Sequence, residues 1–138
     1  MSKPYVFVVD DDEVIRSNIA KKLSRLHCTV RVFDSGEALM EFLRDHRDEP
    51  DVILVDYKMG GMNGVETVRA VRKVSSTPTV IFTAYEGLVD LQAVKQLGRC
   101  EVLLKTIDLS VLGSVVNEAM AVRKMRQLNW VDTGGMPT

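Results

Sequence analysis

Long hydrophobic runs are missing from this sequence. Its longest pure apolar stretches, such as Val52–Val55, fall far below the roughly 18 residues that suggest a membrane span. The opening Met1-Ser2-Lys3-Pro4 leads straight into a strand-like pattern, without an apolar signal segment. An excess of one charge is missing as well: 18 basic and 19 acidic side chains leave a formal net charge of −1. That balance gives no general pull toward nucleic acid or an anionic membrane. Cysteine is scarce, and Cys28 and Cys100 lie far apart, as small core residues of a reducing compartment would. His27 and His46 share no metal-ligand spacing with each other or with those thiols, which speaks against zinc. There is no internal repeat and no low-complexity tract. What is left, with 46% hydrophobic and 27% charged residues in 138, is one globular domain, expected to be soluble and cytoplasmic.

The pattern that is present is alternation. Short β-branched runs stand at Tyr5–Val9, Thr29–Phe33, Val52–Val55, Thr79–Phe82 and Cys100–Leu104. Between them apolar residues recur at helical spacing. Ile15, Ile19, Leu23 and Leu26 mark a first helix; Ala38, Leu39, Phe42 and Leu43 a second, capped by Ser35. Val65, Val68, Val71 and Val74 mark a third, and Leu88, Leu91, Val94 and Leu97 a fourth, stopped by Gly98. Leu109, Leu112, Val115, Val116, Ala119 and Met120 mark a fifth. Pro4, Pro50 and Pro78 each precede a strand, where a missing N–H does no harm. Val52-Ile53-Leu54-Val55 is apolar without alternation, as in a strand covered on both faces. Five β–α pairs predict a doubly wound α/β fold, a five-stranded parallel sheet with five helices on its two faces. Functional groups then gather at the carboxyl ends of the strands.

Those ends are polar. The first strand runs into Asp10-Asp11-Asp12, the third into Asp56, the fourth into Thr83 and the fifth into Lys105. Carboxylates a few ångströms apart repel by roughly 4 kcal/mol per close pair at intermediate dielectric. A hard cation relieves that repulsion, and Mg²⁺ uses one or two carboxylates together with waters and phosphate oxygens. Lys105 and Thr83 add a positive charge and a hydroxyl donor suited to a phosphoryl group. Asp56, on the central strand, is the candidate nucleophile for an aspartyl-phosphate. Asp12 reads mainly as a helix cap.

Over residues 4 to 127 the sequence resembles the receiver domain of two-component response regulators. The resemblance rests on the acidic pair after Val8-Val9, on Asp56 in Ile53-Leu54-Val55-Asp56, on the Met62-Asn63-Gly64 turn, on Thr83-Ala84 and on Lys105. The separations between Asp10, Asp56, Thr83 and Lys105 match that family. The resemblance implies a flavodoxin-like strand order 2-1-3-4-5, with a receiver over 1–127 and a tail or linker from 128 to 138. It implies Mg²⁺ held by Asp11 directly, by Asp10 through water, by Asp56 and by the backbone carbonyl of Lys58. Asp56 is then the phosphoacceptor, with Thr83 and Lys105 contacting the phosphoryl oxygens. The implied partners are a sensor histidine kinase or phosphotransfer protein, and a downstream protein, output domain or second copy on the helix 4–strand 5–helix 5 face. Leu88, Lys95, Gln96, Val102 and Asn117 are candidates on that face. Lys58 and Tyr85 occupy positions that tune hydrolysis in the family.

The sequence also departs from the family pattern. Gly60 replaces a usual proline and is followed by Gly61, so a loose loop is expected after Asp56. Thr106 replaces the proline whose cis bond usually follows the lysine. Val102 replaces the aromatic switch residue. Two other readings compete. Asp10-Asp11-Asp12-Glu13-Val14 fits the aspartate-x-aspartate-x-valine pattern of haloacid-dehalogenase-like phosphatases, but that reading leaves Asp56 without a reason and offers only Asp108 as its further acid. A phosphorylation-independent binding module is the other, and the complete acidic set argues against it. The basic cluster Arg123, Lys124 and Arg126 reads as helix C-terminal charge rather than a nucleic-acid contact.

Overall fold

Strands and helices alternate as the sequence predicts: β1 (Tyr5–Val9), α1 (Glu13–Arg25), β2 (Thr29–Phe33), α2 (Gly36–Asp45), β3 (Val52–Asp56), α3 (Gly64–Arg72), β4 (Thr79–Thr83), α4 (Leu91–Leu97), β5 (Cys100–Leu104) and α5 (Leu109–Asp132). The computed structural model describes residues 3–105 and 108–132. Thr106, and with it the peptide bond after Lys105, lies outside the described residues, as do Gly134, Gly135 and Pro137 of the tail. All strand pairs are parallel, in the order β2-β1-β3-β4-β5. The expected flavodoxin-like order is therefore the order found.

Side-chain alternation on the strands builds two cores. Val6, Val8, Leu54 and Phe82 face a layer of α1 and α5 that includes Ile19, Leu23, Leu112 and Val116. Phe7, Val9, Ile53, Val55 and Ile81 face Leu39, Val68, Val71 and Val94 from α2, α3 and α4. Every residue of β3 and β4 is buried, whereas the edge strands β2 and β5 are largely open. Caps set the helix starts. Asp12 accepts from the N–H groups of Val14 and Ile15, and Ser35 accepts from that of Ala38. Asn63 and Glu66 form a reciprocal capping box on α3. Gly98 ends α4 with a φ of 71°.

Several element ends differ from the sequence reading. β3 and β4 each run one residue further, because Asp56 still pairs with Phe82 and Thr83 with Leu104. Val74 falls outside α3, which closes in a tight turn as the Val74 and Ser75 N–H groups both bond Val71 O. Leu88 belongs to a short 3-10 turn, Glu86–Leu88, and α4 begins only after the Asp90 cap. α5 continues through position 127 to Asp132.

Arg72 ties the lower end of the sheet together. Its Nε donates to Leu97 O and Gly98 O at 3.2 and 2.9 Å, and its terminal nitrogens donate to Thr77 O, Arg99 O and the Thr79 hydroxyl at 2.7, 2.8 and 3.2 Å. One planar fork thus satisfies the last carbonyls of α4 and the entries to β4 and β5. Burial holds its pKa below the usual value, and its charge is spent on backbone acceptors. Arg72→Met is expected to lower unfolding free energy by about 3 kcal/mol, since it strands several carbonyls at once. Urea titration checks this: the midpoint should fall with an unchanged slope.

Candidate functional site

The strand order places β1 between β2 and β3, and the chain leaves β1 for α1 on one face and β3 for α3 on the other, which opens a crevice at their carboxyl ends. Asp56 is the last residue of β3, and Asp10 follows β1 with its N–H on Phe33 O at 3.1 Å. Both are buried, at 4% and 2% exposure, while Asp11 is exposed. One carboxylate oxygen from each of Asp10, Asp11 and Asp56 lies within 4.8 Å of the others.

Lys105 supplies the opposing charge. It follows β5, and its N–H bonds Thr83 O at 2.8 Å. Its Nζ donates to Asp56 Oδ1 at 2.9 Å and stands 3.6 Å from Asp10 Oδ2. Asp10 Oδ1 also accepts from Asp12 N–H at 2.9 Å. Burial pushes the carboxyls of Asp10 and Asp56 above the usual range. The Asp12 N–H and then Lys105 oppose that at Asp10, and the Lys105 hydrogen bond opposes it at Asp56. For Lys105 burial acts downward, but the hydrogen bond from Lys105 to Asp56 and the charges of Asp56 and Asp10 outweigh it, so its pKa ends raised. Three carboxylates facing one ammonium leave the crevice short of positive charge.

That donor set fits Mg²⁺. Oxygens bound to this ion at about 2.1 Å stand about 3 to 4.2 Å apart, so oxygens already within 4.8 Å of one another need close by at most about 1.8 Å in any pair. All three groups are hard oxygen donors, and the nearest histidine and cysteine chemistry lies elsewhere. Lys58 sits in the turn directly beyond Asp56, with its side chain exposed.

Thr83 ends β4 beside β3 but is engaged locally. Its hydroxyl donates to Tyr85 O at 3.0 Å and accepts from Tyr85 N–H at 3.3 Å. The structure therefore brings Asp10, Asp11, Asp56 and Lys105 together and holds Thr83 in the adjoining loop. Tyr85 is 65% exposed, its ring lying over Gly87, which a Cβ there would strike. Asp108 caps α5 through Val111 N–H at 2.9 Å and is not among the clustered carboxylates Asp10, Asp11 and Asp56, so it does not serve as the further acid the phosphatase reading needs.

The loop after Asp56 is anchored, contrary to the expectation of looseness. Gly60 N–H donates to Asp11 Oδ2 and Met62 N–H to Glu37 Oε2, each at 3.2 Å. Gly64 N–H closes the loop on Tyr57 O at 2.7 Å. A Cβ on Gly64 would come 2.9 Å from Asp56 O and from Tyr57 Cα, so only glycine lets α3 start this close to the end of β3. Sequence reading missed Glu37 and also Arg16, whose guanidinium donates to Asp10 O at 2.7 Å. Arg16, one turn into the helix that Asp12 caps, is reachable from the sequence; Glu37, 25 positions from Met62, is not.

Comparison with known proteins agrees with this geometry. The family model for the response regulator receiver domain matches residues 6–117. The chemotaxis protein CheY4 of Vibrio cholerae is 26% identical, with a TM-score of 0.76 over 86% of this chain and 99% of that one. The N-terminal domain of a response regulator/sensory box/GGDEF three-domain protein from Carboxydothermus hydrogenoformans is 27% identical, with a TM-score of 0.78 over 88% and 98%. The DNA-binding transcriptional regulator NtrC of Escherichia coli is 30% identical over 88% of this chain and 26% of its own length. Transcriptional regulatory protein AfsQ1 of Streptomyces coelicolor is 26% identical over 85% of this chain. The chain spans about half of AfsQ1 and about a quarter of NtrC. By its fold, its acidic crevice and its match to the family model, the chain belongs to the response regulator receiver domains of two-component signal transduction, which act on an aspartate of their own rather than turning over a separate substrate.

Proposed function

We propose that Asp56 accepts a phosphoryl group from a phosphohistidine of a sensor histidine kinase or phosphotransfer protein, in a Mg²⁺-dependent cytoplasmic signalling step. The observation that carries this reading is the convergence of the Asp10, Asp11 and Asp56 oxygens, with Lys105 Nζ 2.9 Å from Asp56. Burial leaves the Asp56 anion poorly solvated, which favours its use as a nucleophile. Lys105 engages Oδ1, so the lone pairs of Oδ2 are the ones left to attack phosphorus as the bond to the donor nitrogen breaks. Lys105, kept protonated by its carboxylate neighbours, stays ready to hold a phosphoryl oxygen. Asp11, Asp56 and the Lys58 carbonyl would hold Mg²⁺ directly and Asp10 through water, and the bound ion would supply charge neutralisation for the incoming phosphoryl group.

The same reading gives a route outward. Once the Thr83 hydroxyl turns to the phosphoryl group, Tyr85 loses both of its hydrogen bonds to it, and the segment from Tyr85 to the Asp90 cap is released to shift. That segment borders a surface where Leu88, Leu91, Leu104 and Leu109 are 54%, 50%, 46% and 38% exposed. Lys95, Gln96 and Asn117 are exposed on the same elements and Val102 is half-buried. We assign the α4–β5–α5 face to the downstream partner, output domain or second copy, with Val102 packing in the core instead of flipping as an aromatic would.

The decisive experiment treats the chain with a small phosphodonor and Mg²⁺. Intact mass should show one added phosphate, and Asp56→Asn should show none; a stable adduct on the Asn variant would overturn the assignment of Asp56. A second expectation concerns stability. An acid whose folded pKa is raised binds its proton more readily in the fold, so the fold loses stability as pH rises from the unfolded value through the folded one. Without Mg²⁺, Asp10→Asn should therefore raise the denaturation midpoint at neutral pH, with the gain shrinking toward acid pH. Added Mg²⁺ should then favour the wild type by mass action. Denaturant titrations with and without the ion read both signs. Third, phosphorylated wild type should show amide shifts at Tyr85, Leu88 and Leu91, and Thr83→Ala should keep the adduct while losing those shifts. Shifts that survive in Thr83→Ala would rule out Thr83 as the relay.

A further inference from the structure

Ser35-Gly36-Glu37 opens α2, and each of the three does something different. Ser35 caps the helix. Gly36 is buried against α3, where a Cβ would overlap the Thr67 hydroxyl, itself bonded to Asn63 O at 2.8 Å. Only a glycine at 36 lets the first turn of α2 press on the first turn of α3. That approach carries Glu37 over the loop following Asp56. Glu37 Oε2 accepts from Met62 N–H at 3.2 Å. Gly61 has a φ of +79°, and a Cβ on it would come 2.5 Å from Glu37 Oε2. Gly60, by contrast, has open space around it. The positive φ is what calls for glycine at 61, and the space left by its missing Cβ is occupied by the Glu37 carboxylate.

The other strap on this loop is Asp11, through Gly60 N–H. Asp11 also belongs to the three-carboxylate cluster, so a cation bound there would share this carboxylate with Gly60. Glu37 has no such second duty. We propose that Glu37 is a positioning residue for the Mg²⁺ site: it holds the Gly60–Met62 loop, and so the Lys58 segment beside Asp56, while Asp11 turns to the ion. The proposal rests on the Mg²⁺-dependent reading of the crevice. An acid in the first turn also favours the helix dipole, but that role does not need the Met62 contact.

The test is Mg²⁺ titration followed on the amide signals of Gly60, Gly61 and Met62 in the full chain, with circular dichroism as the check on folding. Glu37→Ala should weaken the apparent Mg²⁺ affinity about fivefold and speed Met62 amide exchange at least tenfold. Glu37→Gln keeps an acceptor without the charge and should bind Mg²⁺ within about twofold of wild type. Wild-type affinity in Glu37→Ala, or equal weakness in Gln and Ala, would overturn the proposal, the latter pointing to charge rather than position. If the wild type itself took up no Mg²⁺, the metal reading would fall first, and the role of Glu37 with it.

Discussion

Three carboxylates held within 4.8 Å, two of them buried, constitute a repulsion that the rest of the fold must contain. Lys105 answers part of it from the edge strand, reaching Asp56 and Asp10 together. The remainder is contained by structure: β3 is paired on both sides and buried along its whole length, and its last residue cannot retreat toward solvent. Backbone donors take up what they can, Asp12 N–H on Asp10 and Gly60 N–H on Asp11. The sheet therefore stores an electrostatic deficit at one end, and its opposite end is where the compensating order is found. There Arg72 spends its donors on carbonyls of two loops and a helix terminus.

This division explains what was legible in the sequence. Strands were readable because β3 and β4 are buried on both faces and must be β-branched and apolar. The chemistry at their ends was readable because a parallel sheet turns sequence position into spatial position: every strand end falls on the same rim. Asp12, Ser35 and Gly98 were readable because capping is local. The errors came where local pattern met a distant partner. Val74 continues the apolar spacing of α3, yet the helix stops at Arg72, whose guanidinium is committed to residues up to 27 positions away. Leu88 is a different case: it has the spacing of α4, yet a purely local cap at Asp90 starts the helix after it.

The diglycine after Asp56 shows the same limit from the other side. Composition alone makes Gly60-Gly61 a flexible pair, because glycine widens the choices of an unfolded chain. In the fold the choices are removed by two carboxylates from different elements. Whether a glycine loosens or tightens a loop depends on what approaches it, and that information sits at Asp11 and Glu37. Thr83 teaches a related point at the level of a single torsion. Its place on the rim follows from the strand, whereas its hydroxyl partner follows from the Tyr85 backbone two residues on.

α5 spans this division physically. Its first turn is capped by Asp108, three residues beyond Lys105, and Arg123 of the same helix is bound to Asp51 at 3.3 Å, at the entry to β3. Asp51 also accepts the N–H of Tyr5, so this anchor is shared with the start of β1. From Leu109 to Arg123 the helix measures about 21 Å at 1.5 Å per residue. Over that length the helix joins two anchors, the Asp108 cap near the acidic rim and the Arg123–Asp51 pair at the roots of the two strands that carry Asp10 and Asp56. One helix thus fastens both poles of the sheet, and the Asp51 carboxylate at its far anchor gathers β1, β3 and α5 at a single point.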